Sequence, residues 1–165
     1  MIQQLDTDTV RMRMDAPPEA VYSLVADVTR TPEFSPEVFE CTWLDGATGP
    51  AVGARFKAQN KVPNRPAWHN KPVVTVVDPG REFAFERTEP FGGTVEWRYQ
   101  FEPDGDGTLV SESYKVTKPM GRVGWFIIGT LFARKDRTSD LHRGMEQTLE
   151  RMRATVEAEA ASTSR

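Results

Sequence analysis

Residues 95–116 read VEWRYQFEPDGDGTLVSESYKV. Val95, Trp97, Tyr99 and Phe101 alternate with Glu96, Arg98, Gln100 and Glu102, the period-two pattern of a strand with one buried face. Asp104-Gly105-Asp106-Gly107 is a hairpin signal, and Leu109 to Val116 returns from it. Alternation along the return strand sets Val110, Glu112, Tyr114 and Val116 on one face, so a carboxylate stands in an otherwise apolar row.

Upstream of the hairpin the same period recurs. Phe83 and Phe85 alternate with Glu82, Ala84 and Glu86, and Trp68 to Val77 reads as one strand ended by Asp78-Pro79-Gly80. Ala54, Phe56, Ala58, Asn60 and Val62 alternate with four charged or amide residues. Phe39, Cys41 and Trp43 form a shorter apolar row, and Val10, Met12 and Met14 another near the start. Asp15 ahead of Pro17, Pro18 and Glu19 marks a helix start, followed by Val21, Leu24 and Val25 at helical spacing. Thr31-Pro32 and Ser35-Pro36 end that helix, and a second small helix fits between those prolines.

Downstream the period changes to three and four. Leu141, Met145, Leu149, Met152 and Val156 form one stripe of an amphipathic helix. Short turns imply antiparallel neighbours, and a helix with one apolar stripe must cover a sheet face. The expected architecture is α+β: a first strand, one or two short helices, further strands making about seven in all, and a long C-terminal helix. Residues 1–160 are expected to form one domain, with 161–165 a frayed tail.

Composition narrows the function. With 38% hydrophobic and 27% charged residues the chain is of ordinary globular type. A net charge of −3 argues against a large nucleic-acid footprint. The single cysteine, Cys41, excludes an internal disulfide framework. The opening MIQQLDTDTV lacks the basic and apolar regions of a signal peptide, so a cytoplasmic location is expected.

The segment from Ser35-Pro36 through Cys41-Thr42-Trp43-Leu44-Asp45-Gly46 to Val52-Gly53-Ala54-Arg55-Phe56 resembles the START/Bet v 1-like (SRPBCC) superfamily, of the polyketide cyclase/dehydrase and lipid-transport type. Phe83-Ala84-Phe85, Trp97 to Pro103 and Glu112-Ser113 fit the same pattern, and the likeness covers nearly the whole chain. It resembles uncharacterised actinobacterial members. The resemblance implies a helix-grip fold, a curved sheet wrapped around the long helix with an apolar, ligand-sized cavity between them. It implies little about chemistry, because members bind varied apolar compounds and share no catalytic motif.

Taking charged faces as outward, the expected cavity wall comprises Phe56, Asn60, Trp68, Phe83, Phe85, Trp97, Tyr99, Glu112, Tyr114, Met145 and Leu149. The same residues are also those of a solid core. Glu112 is the one weak catalytic candidate, since a buried carboxyl has a raised proton affinity suited to acid–base work; the opposing reading turns it outward toward Arg98. Asn60 either points inward to bind a ligand or caps its strand. His69 and His142 lie far apart without acidic or cysteine partners at ligand spacing, so no metal and no cofactor are expected. Cys41 reads as an inert core thiol.

Trp125 to Phe132 is an apolar cluster ahead of Arg134-Lys135-Asp136-Arg137. A cavity lid or membrane-touching segment is one reading; burial against the sheet and a partner copy in a homodimer is the favoured one. The leading functional expectation is a binding protein for a hydrophobic or aromatic small molecule. A cyclase or dehydratase using Glu112 is the alternative, and a ligand-free interaction module the third.

Overall fold

The computed structural model describes residues 7–88, 93–118, 121–122 and 137–163. Strand β1 (Thr7–Met14) leads to helix α1 (Pro18–Ala26) and a 3-10 helix (Val28–Glu33). Then come β2 (Val38–Trp43), β3 (Phe56–Asn60), β4 (Trp68–Asn70), β5 (Val73–Asp78), β6 (Glu82–Thr88), β7 (Thr94–Asp104) and β8 (Gly107–Lys118), and finally helix α2 (Arg137–Thr163). The apolar segment Trp125 to Phe132 lies outside the described residues.

All pairings are antiparallel, in a five-stranded sheet ordered β1-β8-β7-β6-β5 and a three-stranded sheet ordered β2-β3-β4. The two sheets meet where Arg55 bridges Val73, with Val74 N–H donating to the Ala54 carbonyl at 2.9 Å and Gly53 N–H to the Val74 carbonyl at 2.8 Å. The strand count is eight rather than about seven because the run from Trp68 to Val77 divides at Lys71-Pro72. Proline has no N–H to continue a ladder. The chain leaves β3's sheet there and enters β6's, and the Pro72 carbonyl accepts from Phe56 N–H at the crossing.

Two local expectations are corrected. The 3-10 helix begins at Val28 and holds Pro32, so it precedes Ser35-Pro36 instead of lying between the prolines. Phe39 does not share a face with Cys41. A register shift between Val38 and Glu40 turns it outward, leaving it 50% exposed, while Cys41 stays buried.

The stripe on α2 packs as its spacing requires. Met145, Leu149, Met152 and Val156 are all buried, and Leu141 is half-buried beside them. Polar contacts fix the helix along its length: His142 Nδ1 lies 2.7 Å from Asp8 Oδ2 of β1, Asp15 N–H donates to Glu157 at 2.9 Å, and Arg30 pairs with Glu159. At its base the β7–β8 hairpin is pressed against β1. A Cβ built on Gly107 would stand 2.4 Å from the Met14 carbonyl oxygen, a backbone atom that cannot swing aside. Gly107→Ala is therefore expected to lower unfolding stability by about 1–3 kcal/mol, read by urea denaturation followed by far-ultraviolet circular dichroism.

Candidate functional site

β3 buries Phe56, Ala58 and Asn60 and turns Lys57 and Gln59 outward, as alternation demands. β6 sets Phe83 and Phe85 inward, and the ring of Phe85 meets that of Phe56 edge to face at 5.3 Å. With Val25 of α1, Val28 of the 3-10 helix, Cys41, Ala58 and Tyr99, these rings enclose an apolar cavity of about 50 Å³. The space is much smaller than the expected ligand-sized pocket, for which roughly 300 Å³ or more is usual. The rings of Phe56, Phe83, Phe85 and Tyr99 occupy the volume that smaller side chains would leave open.

The cavity also sits elsewhere than expected. It is closed by α1 and the 3-10 helix, whereas Met145 and Leu149 of α2 pack in the core away from its lining. A larger hollow of about 360 Å³ between Asp8, Ser139, His142, Arg143 and Glu146 is an open depression walled by charged surface groups, unlike an apolar ligand site.

The β7–β8 hairpin builds the polar part of the interior. Its register sets Tyr99 opposite Glu112 and Trp97 opposite Tyr114. Glu112 is 3% exposed and faces inward, settling its orientation. Arg98 does not reach it, because that guanidinium lies on the other face of the sheet and pairs with Glu82 and Glu96. The Tyr99 hydroxyl donates to Glu112 Oε1 at 3.0 Å, and Glu112 Oε2 is buried without a hydrogen-bond partner. Burial pushes the Glu112 carboxyl up to about 8, with the Tyr99 hydrogen bond opposing it. Burial, and then the nearby Glu112, hold the Tyr99 phenol well above its ordinary range. Glu112 is thus a neutral acid at pH 7, and since Tyr99 donates to Oε1, the acid proton belongs on Oε2. Tyr99 joins this acid to the cavity it lines.

Trp97 is tilted against Tyr114 at 5.5 Å, and its indole N–H is buried without a partner. Asn60, 1% exposed, points inward and donates to Asn70 Oδ1 at 2.8 Å and to the Ala58 carbonyl at 3.1 Å. Trp68 pairs with Asn60 across β3–β4 and is half-buried. Of the sequence-named wall, then, Phe56, Phe83, Phe85 and Tyr99 line the cavity. Asn60, Glu112 and Tyr114 are buried in the surrounding interior, where Trp97 is half-buried.

The sequence reading missed Val28, Thr31 and Phe34, which line the cavity from the side of the 3-10 helix, and two further side chains. Arg87 lines the cavity and its guanidinium carbon stands 5.6 Å over the Trp97 ring; continuing the Phe83–Phe85 alternation by one step finds it. Asn70 is the second, two residues beyond Trp68 on the same face.

The remaining candidates are quiet. His69 is exposed, and His142 is 44% exposed, its proton affinity raised first by the hydrogen bond to Asp8. Burial pushes the Cys41 thiol up to about 11, so it is not a nucleophile at neutral pH. Among the described residues no group of three or more His, Cys, Asp or Glu could hold a metal ion, and no helix is long and apolar enough to cross a membrane.

Comparison with known proteins identifies the family and the fold. The family model "Polyketide cyclase / dehydrase and lipid transport" matches residues 8–157, and the chain belongs to that family. A polyketide-cyclase-like protein of Corynebacterium glutamicum, solved in solution, is 32% identical with a TM-score of 0.61, covering 97% of this chain and 96% of its own. The di-domain ARO/CYC protein StfQ of the steffimycin biosynthetic pathway matches at TM-score 0.77 and 15% identity, over 96% of this chain and 52% of its own. The major latex-like protein 151 of Panax ginseng matches at TM-score 0.68 and 15% identity, over 90% of this chain and 95% of its own. These last two likenesses establish the helix-grip fold. No curated protein sequence is matched significantly.

The carboxyl of Glu112 has a sharp consequence for stability. Its proton affinity is higher folded, about 8, than in the unfolded chain, about 4.5. The stabilisation it gives is full below pH 4.5 and is lost as pH rises through 8, because the native state then binds more protons than the unfolded one. Between those limits this group lowers wild-type stability by up to about 5 kcal/mol. In Glu112→Gln that component of the pH dependence disappears, which thermal unfolding at a series of pH values will show.

Proposed function

We propose that this member of the polyketide cyclase / dehydrase and lipid transport family binds a hydrophobic or aromatic small molecule carrying a carbonyl oxygen, inside the fold between the sheet and the short helices. The observation that carries the reading is Glu112: a buried acid, bonded to Tyr99 on one oxygen and unpartnered on the other. As a neutral acid its free oxygen is a donor, and the buried Trp97 N–H is a second. Two donors without an acceptor favour a ligand oxygen that only accepts. The aromatic wall of Phe56, Phe83, Phe85 and Tyr99 supports an apolar body, whose burial supplies most of the affinity.

About 50 Å³ does not hold such a molecule. Entry therefore requires the aromatic rings to change rotamer or α1 and the 3-10 helix to move off the sheet, a binding step of the induced-fit kind. A cyclase or dehydratase reading draws on the same Tyr99–Glu112 pair, since an acid that titrates near neutrality can move protons on a polarised carbonyl. Binding is the better-supported role because Tyr99, the titratable group bonded to Glu112, is held protonated well above its ordinary range and so is a donor, not a base, near neutral pH.

Titration with 2-acetonaphthone, followed by tryptophan fluorescence, checks the proposal. Wild-type affinity is expected to fall roughly ten-fold as pH rises past about 8, where Glu112 changes from donor to carboxylate. Glu112→Gln keeps an N–H donor and is expected to bind equally on both sides of that pH. Saturation that is absent at every pH would remove the binding reading. Turnover of a carbonyl substrate that Glu112→Gln abolishes would favour the enzyme.

A further inference from the structure

The Asn60–Asn70 pair stands outside this account. Both side chains are buried, at 1% and 4% exposure, on neighbouring strands of the small sheet. One hydrogen bond joins them, from Asn60 Nδ2 to Asn70 Oδ1 at 2.8 Å, and Asn60 Nδ2 also donates to the Ala58 carbonyl. That second bond fixes which way the Asn60 amide is turned. What is left over is Asn60 Oδ1, an acceptor, and Asn70 Nδ2, a donor, both buried and both without a partner. Turning both amides over would exchange the roles and still leave one donor and one acceptor.

The pair continues the cavity wall. Phe56 and Ala58 line the cavity, and Asn60 is the next inward residue on β3; Asn70 lies opposite Ala58 on β4. The bonds to Asn70 Oδ1 and to the Ala58 carbonyl use only Asn60 Nδ2 as donor and leave the other end of each amide open. Leaving one of each open, in a place water does not reach freely, makes a site complementary to a group that donates and accepts at adjacent atoms.

We propose that Asn60 and Asn70 form a second polar station of the interior, recognising a primary amide or lactam on the ligand: Asn60 Oδ1 accepts the ligand N–H and Asn70 Nδ2 donates to its carbonyl. A carboxylic acid satisfies the same pair only in its neutral form, because a buried carboxylate would face Asn60 Oδ1. Esters and ketones leave Asn60 Oδ1 without its donor. The inference rests on the interior being a binding site, and adds to it the polar group that the small sheet selects.

The test compares 2-naphthamide with methyl 2-naphthoate, which have similar bodies but differ in the N–H. In the wild-type protein the ratio of amide to ester affinity is expected to exceed by about ten-fold that in the double variant Asn60→Leu/Asn70→Leu. Replacing both partners by apolar side chains of similar size leaves no single amide orphaned, and 2-acetonaphthone binding serves as the control that the interior is intact. A second readout needs no variant: the side-chain ¹⁵N–¹H₂ resonances of Asn60 and Asn70 are expected to shift with 2-naphthamide and not with the ester. An unchanged ratio with unmoved amide resonances, while 2-acetonaphthone binds, overturns the amide site alone. Failure of all three naphthyl compounds to bind overturns both this inference and the binding function beneath it.

Discussion

The register of the β7–β8 hairpin is the constraint on which the interior depends. Asp104 pairs with Gly107 at the turn, and from there Phe101 meets Val110, Tyr99 meets Glu112 and Trp97 meets Tyr114. On its other edge β8 is held by β1, with Met12 opposite Val110 and Val10 opposite Glu112. A slip of one residue on either side would turn Ser111 and Ser113 inward and put Glu112 beside Arg98 in water. Two neighbours and a tight contact at Gly107 resist that slip, so the carboxyl has nowhere to go. It answers burial by keeping its proton, and a residue that would otherwise be an anion becomes a hydrogen-bond donor.

Much of this was legible because it rests on periodicity. The hairpin, the inward row of β3 and the stripe of α2 each follow from one repeat carried over several residues, and their faces agree with burial at Phe56, Ala58, Asn60, Met145 and Leu149. The failures occur where one residue interrupts a repeat. Pro72 divides what reads as a single strand from Trp68 to Val77, and that signal was present in the sequence. The bulge that expels Phe39 left no such mark, since it depends on how Val38 and Glu40 meet β3. Cavity volume was illegible for a different reason. Which residues face inward is a matter of period two; how much room their rings leave is a matter of rotamers and of where α1 settles.

The small volume sharpens the question of what the interior is for. Asn60, Asn70, Thr75, Trp97 and Glu112 each hold a buried polar atom without a partner. An unmet buried polar atom of this kind costs about 1–3 kcal/mol of stability, a large share of the margin of a typical domain. A core selected for stability alone would carry leucine or phenylalanine at these positions. Their distribution is also uneven: the large sheet offers donors from Trp97 and Glu112 and a hydroxyl from Thr75, and the small sheet offers one donor and one acceptor from Asn70 and Asn60.

That unevenness bears on how a tightly filled interior can still be a binding site. Polar groups that are unsatisfied in the closed state lower its stability relative to any state in which they are met, so they reduce the free energy needed to open it for a matching ligand. A purely apolar visitor would displace the rings of Phe56 and Phe85 from one another and leave the orphaned atoms as they are. A visitor with correctly placed carbonyl and N–H groups gains those hydrogen bonds as it enters. On the proposed binding role, selectivity would come from the opening step itself: only a molecule that answers the polar atoms on both sheets would recover the packing that it disrupts.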